Sequence, residues 1–149
     1  MDNQRLFSME LRPKYDEQLR EFALALERAW RQGGWCMYLD ELFYLDRLGL
    51  RPLIERLLTQ GRSKGITVVS GLQRPVAVTR FAVGESRHVI SFGLEGRDAR
   101  ELGEATTDRM RRVVEDLAEF EFAWYSRPNR IWRGRLNLGT GALDGAFVI

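Results

Sequence analysis

One short stretch constrains the fold more than any other: an uninterrupted apolar run, Trp35-Cys36-Met37-Tyr38-Leu39, that ends in Asp40-Glu41. Two glycines, Gly33-Gly34, precede the run. A continuous apolar run bounded in this way is typical of a strand that is buried on both faces, as in a parallel sheet. Ligands of open α/β sheets bind at the carboxyl ends of the strands, and Asp40 and Glu41 occupy that position.

Two adjacent acids at a strand end suit chemistry on phosphate groups. Asp40 can hold a water bound to Mg²⁺, and Glu41 can polarise an attacking water. A solvated pair of carboxylates at a strand terminus explains the same residues, so the pair alone does not decide between the two interpretations. Cys36, inside the apolar run, is expected to be a small core residue.

A strand and a helix are predicted before this run. Residues 6–11 nearly alternate between apolar and polar side chains, which indicates a short strand. Residues 16–31 repeat apolar positions at helical spacing, with Asp16 as the N-cap and Gly33 as the stop. Together with the strand at 35–39 they form a βαβ unit, whose crossover is right-handed.

The rest of the chain continues to alternate helices and strands. Pro52 opens a predicted helix that Gly61 closes, and the β-branched residues 66–72 predict another buried strand. The further predicted elements are a loop or short turn at 42–47, an amphipathic piece before a strand at 88–92, helices at 97–104 and 108–119 with Thr107 as a cap, and a hairpin of 120–125 and 131–136. This pattern predicts an α/β fold with a three-layer sheet. The sheet belongs to one domain, residues 1–138, followed by a Gly-rich tail, 139–149, that is flexible or docks on a neighbour.

Several classes of protein and site find no support in the composition. No run of about 18 uncharged apolar residues occurs, so no membrane span is predicted, and the first residues lack the apolar block of a secretory signal. A single cysteine forms no intramolecular disulfide, which fits a cytoplasmic location. His88, the only histidine, has no second His or Cys nearby for a zinc site, and no Ser-His-Asp set can be assembled.

Three motifs, taken in order, resemble the HerA/FtsK superfamily of P-loop ATPases, which are motors that pump or package DNA as rings. They are Tyr38-Leu39-Asp40-Glu41, then Gly61-Arg62-Ser63-Lys64-Gly65, then residues 68–75, Val-Val-Ser-Gly-Leu-Gln-Arg-Pro. The resemblance covers roughly residues 5–135 and includes the closing hairpin. It implies a RecA-like, three-layer parallel sheet flanked by helices, with a C-terminal antiparallel hairpin.

The resemblance also implies roles for four residues. Asp40 resembles the Walker B acid, which holds Mg²⁺ through water, and Glu41 resembles the catalytic glutamate. Arg62 matches the arginine that family members insert into a neighbouring subunit's nucleotide site. Gln73 matches the polar sensor at the end of the strand beside the P-loop strand. The plain alternatives are a solvated turn at Arg62 and a strand cap at Gln73.

The sequence contains no P-loop, G-x-x-x-x-G-K-[ST]. In the family, the P-loop strand lies between the strands that match residues 66–72 and 88–92. These two strands are therefore expected to keep unpaired edges or to pair directly. We expect the chain alone not to hydrolyse ATP. It is expected to be completed by a polypeptide that carries a P-loop, or to self-associate as a homo-oligomer, and ATP and Mg²⁺ are expected only in the completed form.

Basic and aromatic residues are concentrated late in the chain. The arginines are Arg109, Arg111, Arg112, Arg127, Arg130, Arg133 and Arg135, with Trp124, Tyr125 and Trp132 among them. Such a mixture can bind single-stranded nucleic acid, but a hairpin with its aromatics in the core and its arginines on the wet face is favoured. The sequence thus predicts the Walker B half of a DNA-translocating or packaging ATPase of a phage or mobile element, with DNA as a candidate partner. A non-catalytic binding or assembly module derived from such an ATPase is the alternative.

Overall fold

The structure, a computed structural model, describes residues 15–73 and 78–148. The predicted strand at 6–11 lies outside them. The chain divides into two compact units, Met1–Gln73 and Arg74–Ile149. The elements are α1 (Tyr15–Gln32), β1 (Cys36–Leu39), α2 (Leu42–Arg47), α3 (Arg51–Gln60), a 3-10 turn (Gly61–Lys64), β2 (Thr67–Ser70), α4 (Val78–Glu85), β3 (His88–Phe92), α5 (Gly96–Ala105), α6 (Asp108–Glu115), β4 (Glu121–Ser126), β5 (Arg130–Leu136) and β6 (Leu143–Val148).

The first unit contains a parallel pair of strands. β1 and β2 pair in register from Cys36 opposite Thr67 to Leu39 opposite Ser70, so both strands end at the same edge of the sheet. α1 packs against α3. The fully or nearly buried apolar side chains of this unit are Leu26, Ala29, Leu39, Leu42, Leu45, Leu48, Leu50, Ile54, Leu57 and Ile66.

The prediction that β1 is buried on both faces is wrong. Leu39 is buried, but Cys36 is exposed and the Tyr38 side chain keeps 67% of its accessible surface. Successive side chains of a strand point to opposite faces, and Tyr38 lies opposite Val69, which is also exposed. One face of this two-stranded sheet is therefore open in the part of the chain that the structure describes. Cys36 lies on it and is not a core residue.

The helix predicted at 16–31 is confirmed, with slightly wider bounds. Asp16 lies inside α1 and is not its N-cap, because the helix already includes Tyr15. Gly33 ends the helix as predicted: its φ is +65° and its N–H donates to the carbonyl of Ala29 at 2.9 Å. This is the left-handed residue that commonly terminates helices.

The predicted loop at 42–47 is instead the short helix α2. Glu41 adopts a left-handed conformation, φ 49° and ψ 59°, and turns the chain directly from β1 into this helix. Leu42 and Leu45, one helical turn apart, are both buried. The Tyr44 hydroxyl donates to Oε1 of the buried Gln18 at 2.9 Å. α2 is thereby tied to α1, which keeps the chain after the two acids in place.

The second unit is built on an antiparallel sheet in the order β3-β4-β5-β6. The strand at 88–92 and the hairpin are confirmed. Thr107 caps α6, accepting a hydrogen bond from the amide of Met110 at 3.1 Å, although this helix ends at Glu115 and not at 119. The segment predicted to be a flexible tail or a docking arm contains β6, which pairs with β5, so the sheet continues past residue 138.

The hairpin does not separate aromatics and arginines as predicted. Trp124 and Tyr125 are consecutive in β4, so they necessarily face opposite sides. Tyr125 is buried, whereas Trp124 stacks on Trp132 with ring centroids 4.8 Å apart, on a face where Ile90 and Phe92 are 65% and 55% exposed. We call Ile90, Phe92, Trp124 and Trp132 the open aromatic face.

The described residues thus form a mixed α/β structure that contains one parallel and one antiparallel sheet. Within the described ranges, β2 pairs with β1 in the first unit and β3 pairs with β4 in the second. The expectation that residues 66–72 and 88–92 keep unpaired edges or pair directly stays a prediction. A continuous three-layer sheet stays a prediction. No helix between residues 15–73 or 78–148 is long and apolar enough to cross a membrane.

Candidate functional site

Asp40 and Glu41 follow β1 at the carboxyl edge of the parallel pair. Asp40 is exposed, and its Oδ1 accepts the amide of Glu41 at 3.0 Å. The chain beside them is fixed by backbone bonds to β2: the Gly71 amide donates to the Leu39 carbonyl at 3.0 Å, and the Leu42 amide donates to the Gly71 carbonyl at 3.3 Å. The two acids therefore project from a loop that is bonded on both sides to the neighbouring strand.

Gly71 makes room for the Asp40 carboxylate. A Cβ at this position would lie 2.7 Å from Asp40 Oδ1 and 3.1 Å from the Tyr38 hydroxyl. The Tyr38 hydroxyl is itself 3.5 Å from Oδ1, at the outer limit of a hydrogen bond. Neither residue was predicted from the sequence to belong to the site. The available signal for Gly71 was a glycine directly after a β-branched run.

Gln73 lies at the same edge as the acids. The pairing of Leu39 with Ser70 puts Asp40 beside Gly71, and Gln73 follows two residues later with an exposed side chain. Three of the four predicted site residues thus follow the carboxyl ends of the two parallel strands. An acid, a second acid and an amide at one edge form a set that can bind a hydrated cation and orient a water.

Arg62 lies at the opposite end of the same strands. It is exposed in the 3-10 turn that precedes β2, and the amino ends of β1 and β2 are aligned. The turn is held against the end of α1: the Gly34 amide donates to the Lys64 carbonyl at 2.9 Å, and a Cβ on Gly33 would approach that oxygen to 2.6 Å. Within one chain, therefore, Arg62 is not brought to the acids.

The side chains around this turn form a cationic cluster on an indole ring. The Arg56 guanidinium lies 4.0 Å from the Trp30 ring centroid, and the Lys64 ammonium lies 5.1 Å from it. Cations over an indole face are attracted by the ring quadrupole. Trp30 therefore connects α1, α3 and the turn that carries Arg62.

Five of the late arginines have hydrogen-bond or ion-pair partners, and Arg127 and Arg133 make the contacts that connect different elements. The Arg127 guanidinium donates to the carbonyls of Gly84, Ser86 and Ala105, at the ends of α4 and α5. Arg133 bridges the carboxylates of Asp116 and Glu121. Cations at helix carboxyl ends stabilise the helix dipole, so Arg127 serves the fold of the second unit.

Glu121 is the described carboxyl group with the largest change in acidity. Hydrogen bonds from Arg133, first, and from the Ala118 amide lower its pKa from 4.5 to about 2. The same contacts raise the pKa of the Arg133 guanidinium. This ion-pair network lies on the sheet face opposite the open aromatic face, so it holds β4 and β5 to the chain after α6.

The described residues contain no cluster of three or more His, Cys, Asp or Glu side chains arranged for a metal ion. The chemistry of the Asp40 carboxylate fits a different mode, in which Mg²⁺ keeps most of its waters and is bound through one or two protein carboxylates and the phosphates of a nucleotide. Oδ1 is used by the Glu41 amide, and the exposed group retains acceptor capacity for a bound water.

Comparison with known proteins links this fold to viral packaging enzymes. No family model matches the chain. The chain is 46% identical over 54 residues to the DNA packaging ATPase P9 of Enterobacteria phage PRD1, a match that covers 36% of this chain and 23% of that protein.

Solved structures with a similar fold include B204, the DNA-packaging ATPase from Sulfolobus turreted icosahedral virus (TM-score 0.60, 16% identity, covering 90% of this chain and 62% of that one). B204 from Sulfolobus turreted icosahedral virus 2 in complex with AMPPCP matches at TM-score 0.59 and 14% identity, covering 90% and 62%. The chain thus spans less than two thirds of the length of each protein. The predicted resemblance to packaging-type ATPases is confirmed.

Proposed function

We propose that this chain is the Walker B part of an ATP-driven DNA-packaging or DNA-translocating motor of the HerA/FtsK type, with a RecA-like three-layer sheet in the completed enzyme. The observation that carries the proposal is that β1 and β2 are parallel and end together, with Asp40 and Glu41 following one strand and Gln73 following the other strand three residues later. The similarity to B204, solved with nucleotides, and to the phage PRD1 packaging ATPase supports the same function.

The proposed roles follow from what phosphoryl transfer requires, namely positioning and neutralisation of charge. When a P-loop element completes the site, ATP supplies the phosphoanhydride bond, and Mg²⁺ supplies positive charge that neutralises the phosphates. In the completed site, Asp40 would hold Mg²⁺ through a water, Glu41 would accept a proton from the attacking water, and Gln73 would orient that water. Each of these side chains is exposed or half-buried at the strand edge, where it can reach a ligand.

Arg62 is proposed to act on the nucleotide of a neighbouring subunit. Its position at the far end of the strands from Asp40 and Glu41 excludes it from their immediate surroundings. An arginine supplied from a second subunit can raise the rate by about 10³–10⁵. This role requires a homo-oligomer, and DNA is the proposed substrate of the assembled motor.

The alternative function is a non-catalytic binding or assembly module derived from such an ATPase. The observation that favours it is the absence of a P-loop motif from the sequence. Such a module keeps the fold and the edge residues without turning over ATP.

The test is ATP hydrolysis by the chain combined with a polypeptide that carries a P-loop strand and helix. Glu41→Gln should lower the rate by about 10²–10⁴, the usual contribution of a general base. Glu119→Gln, at an exposed position in the other unit, is the matched control. Turnover that survives Glu41→Gln would show that Glu41 is not the base, and absence of turnover in every combination favours the non-catalytic module.

A mixing experiment tests the action of Arg62 between subunits. Glu41→Gln and Arg62→Ala subunits are each expected to be inactive, because each lacks one half of every site. Mixed assemblies should regain activity, since an Arg62→Ala subunit with an intact Glu41 can receive Arg62 from its neighbour. Arg20→Ala, an exposed position on α1, is the control. No recovery on mixing places Arg62 in its own subunit's site or outside the chemistry.

A further inference from the structure

Trp30 holds two cationic side chains from different elements. It lies near the end of α1, half-buried, with the Arg56 guanidinium of α3 at 4.0 Å and the Lys64 ammonium of the 3-10 turn at 5.1 Å from its ring centroid. Arg56 and Lys64 carry the same charge, and the ring face lets both approach one apolar surface. The indole therefore offsets part of their repulsion.

The backbone of the turn is docked at the same place. The Lys64 carbonyl accepts the Gly34 amide at 2.9 Å. Gly33, in the left-handed region at φ +65°, approaches so closely that a Cβ there would lie 2.6 Å from this oxygen. Gly65 closes the turn, also left-handed, at φ +66°. The Lys64 side chain thus contacts the end of α1, and the Lys64 carbonyl is hydrogen-bonded to Gly34, which follows this helix.

We propose that Trp30, together with Gly33, is a positioning residue for Arg62: it fixes the 3-10 turn so that the Arg62 guanidinium is presented at one orientation to a neighbouring subunit. This inference rests on the proposed function of Arg62. Arg62 itself is exposed, so its direction depends on the turn that carries it. Displacement of a catalytic group by about 1 Å can lower a rate by about 10²-fold.

The attachment of the turn is measured without any enzymatic activity, by hydrogen exchange of the Gly34 amide in the chain as it stands. Trp30→Leu removes the cation–π contacts, and we expect Gly34 exchange to become about three- to fivefold faster. Trp30→Phe keeps an aromatic face and should retain most of the protection. Trp124→Leu, the same replacement in the other unit, should leave Gly34 unchanged. Unchanged Gly34 exchange in Trp30→Leu would overturn the inference.

Lys64→Met provides a second variant that keeps the fold intact, because it removes the ammonium and retains an unbranched stem on an exposed side chain. It should also accelerate Gly34 exchange, although less than Trp30→Leu, since Arg56 still covers the ring. Gly33→Ala should accelerate it most, because the new Cβ pushes the Lys64 carbonyl away.

Activity then separates the positioning role from the role of Arg62. In the mixing experiment, Trp30→Leu combined with Glu41→Gln should regain activity, as Arg62→Ala does, and Trp30→Phe alone should stay active. Faster Gly34 exchange with full activity in Trp30→Leu would overturn the positioning role. If Arg62→Ala itself leaves hydrolysis unchanged, the proposed function of Arg62 has failed, while the exchange result still reports whether Trp30 holds the turn.

Discussion

Replacement of Gly71 by alanine tests whether the Asp40 carboxylate has to occupy its observed position. Gly71 is outside the left-handed region, so its backbone accepts alanine. The new methyl group would lie 2.7 Å from Asp40 Oδ1, whereas ordinary contacts begin at 3.4 Å. The carboxylate therefore has to move by about 0.7 Å or rotate away, and because it ends a short exposed side chain it can do so without unfolding the sheet.

The expected change in stability is small and the expected change in rate is large. Alanine reduces the conformational freedom of the unfolded chain, which stabilises by about 0.4–1 kcal/mol where the native backbone accepts it, and the displaced carboxylate offsets part of that gain. The free energy of unfolding should therefore change by no more than about 1 kcal/mol in either direction. On the proposed function, displacement of the Asp40 carboxylate by about 0.7 Å should lower hydrolysis by about ten- to a hundredfold.

The assay compares Gly71→Ala with Asp40→Asn and with Gly84→Ala. Hydrolysis is measured in the complemented system, stability by urea unfolding, and the displacement by the amide chemical shift of Glu41, whose N–H donates to Oδ1 at 3.0 Å. A Cβ on Gly84 contacts nothing within 4 Å, so Gly84→Ala controls for the loss of backbone freedom. Full activity in Gly71→Ala, with an altered Glu41 shift and an inactive Asp40→Asn, would refute the requirement for this geometry.

Three further changes have defined outcomes. Glu41→Gly should stabilise the first unit by about 0.5–1 kcal/mol in urea unfolding. Glycine removes the strain of an L-residue in the left-handed conformation, about 1–2 kcal/mol, and this gain exceeds the conformational entropy that glycine loses on folding. Glu41→Ala keeps the strain, and a less stable Glu41→Gly would contradict this reasoning. Unfolding of the second unit should become easier as the pH falls from 4.5 towards 2. The folded state lowers the pKa of Glu121, so its ionised carboxylate stabilises the fold above pH 4.5, and this stabilisation is lost as the group is protonated. Glu121→Gln should flatten the dependence of stability on pH, and an equally steep curve in this variant would argue against the role of Glu121. Arg127→Ala should destabilise the second unit by about 2 kcal/mol, because three helix-end carbonyls lose a charged donor; an unchanged thermal midpoint would show that water replaces it.

The elements that were predicted correctly are those specified by nearby residues. The apolar spacing of residues 16–31 and the glycine that stops them define α1, and Pro52 and Gly61 bound α3 closely. The hairpin follows from two alternating runs around a turn, and Thr107 caps α6 because its hydroxyl reaches an amide three residues on. Local periodicity and capping chemistry are sufficient in each case.

The features that were not predicted depend on distant parts of the chain. Exposure of Cys36 and Tyr38 depends on what covers one face of β1, and the pattern of apolar residues does not reveal whether anything does. The strand at 143–148 lies in a Gly-rich segment, 139–149, and forms because β5 offers it an edge. The relation between Gly71 and Asp40 exists only once the register of β1 and β2 is known. In the candidate site, therefore, the acids and the amide were proposed from the sequence, and the glycine that makes room for the Asp40 carboxylate was not.

The location of Arg62 and the two acids at opposite ends of β1 and β2 has a consequence for assembly. Four strand residues span about 13 Å, and the strands connect the two ends of the unit directly. On the proposed function, the amino end of these strands in one copy, which carries Arg62, must meet their carboxyl end, which carries the acids, in another copy. Head-to-tail contacts that close into a ring or continue as an open helix satisfy this requirement, and so does an antiparallel two-fold pair in which each copy supplies its arginine to the other. Copies that pair through the same end of the strands cannot satisfy it.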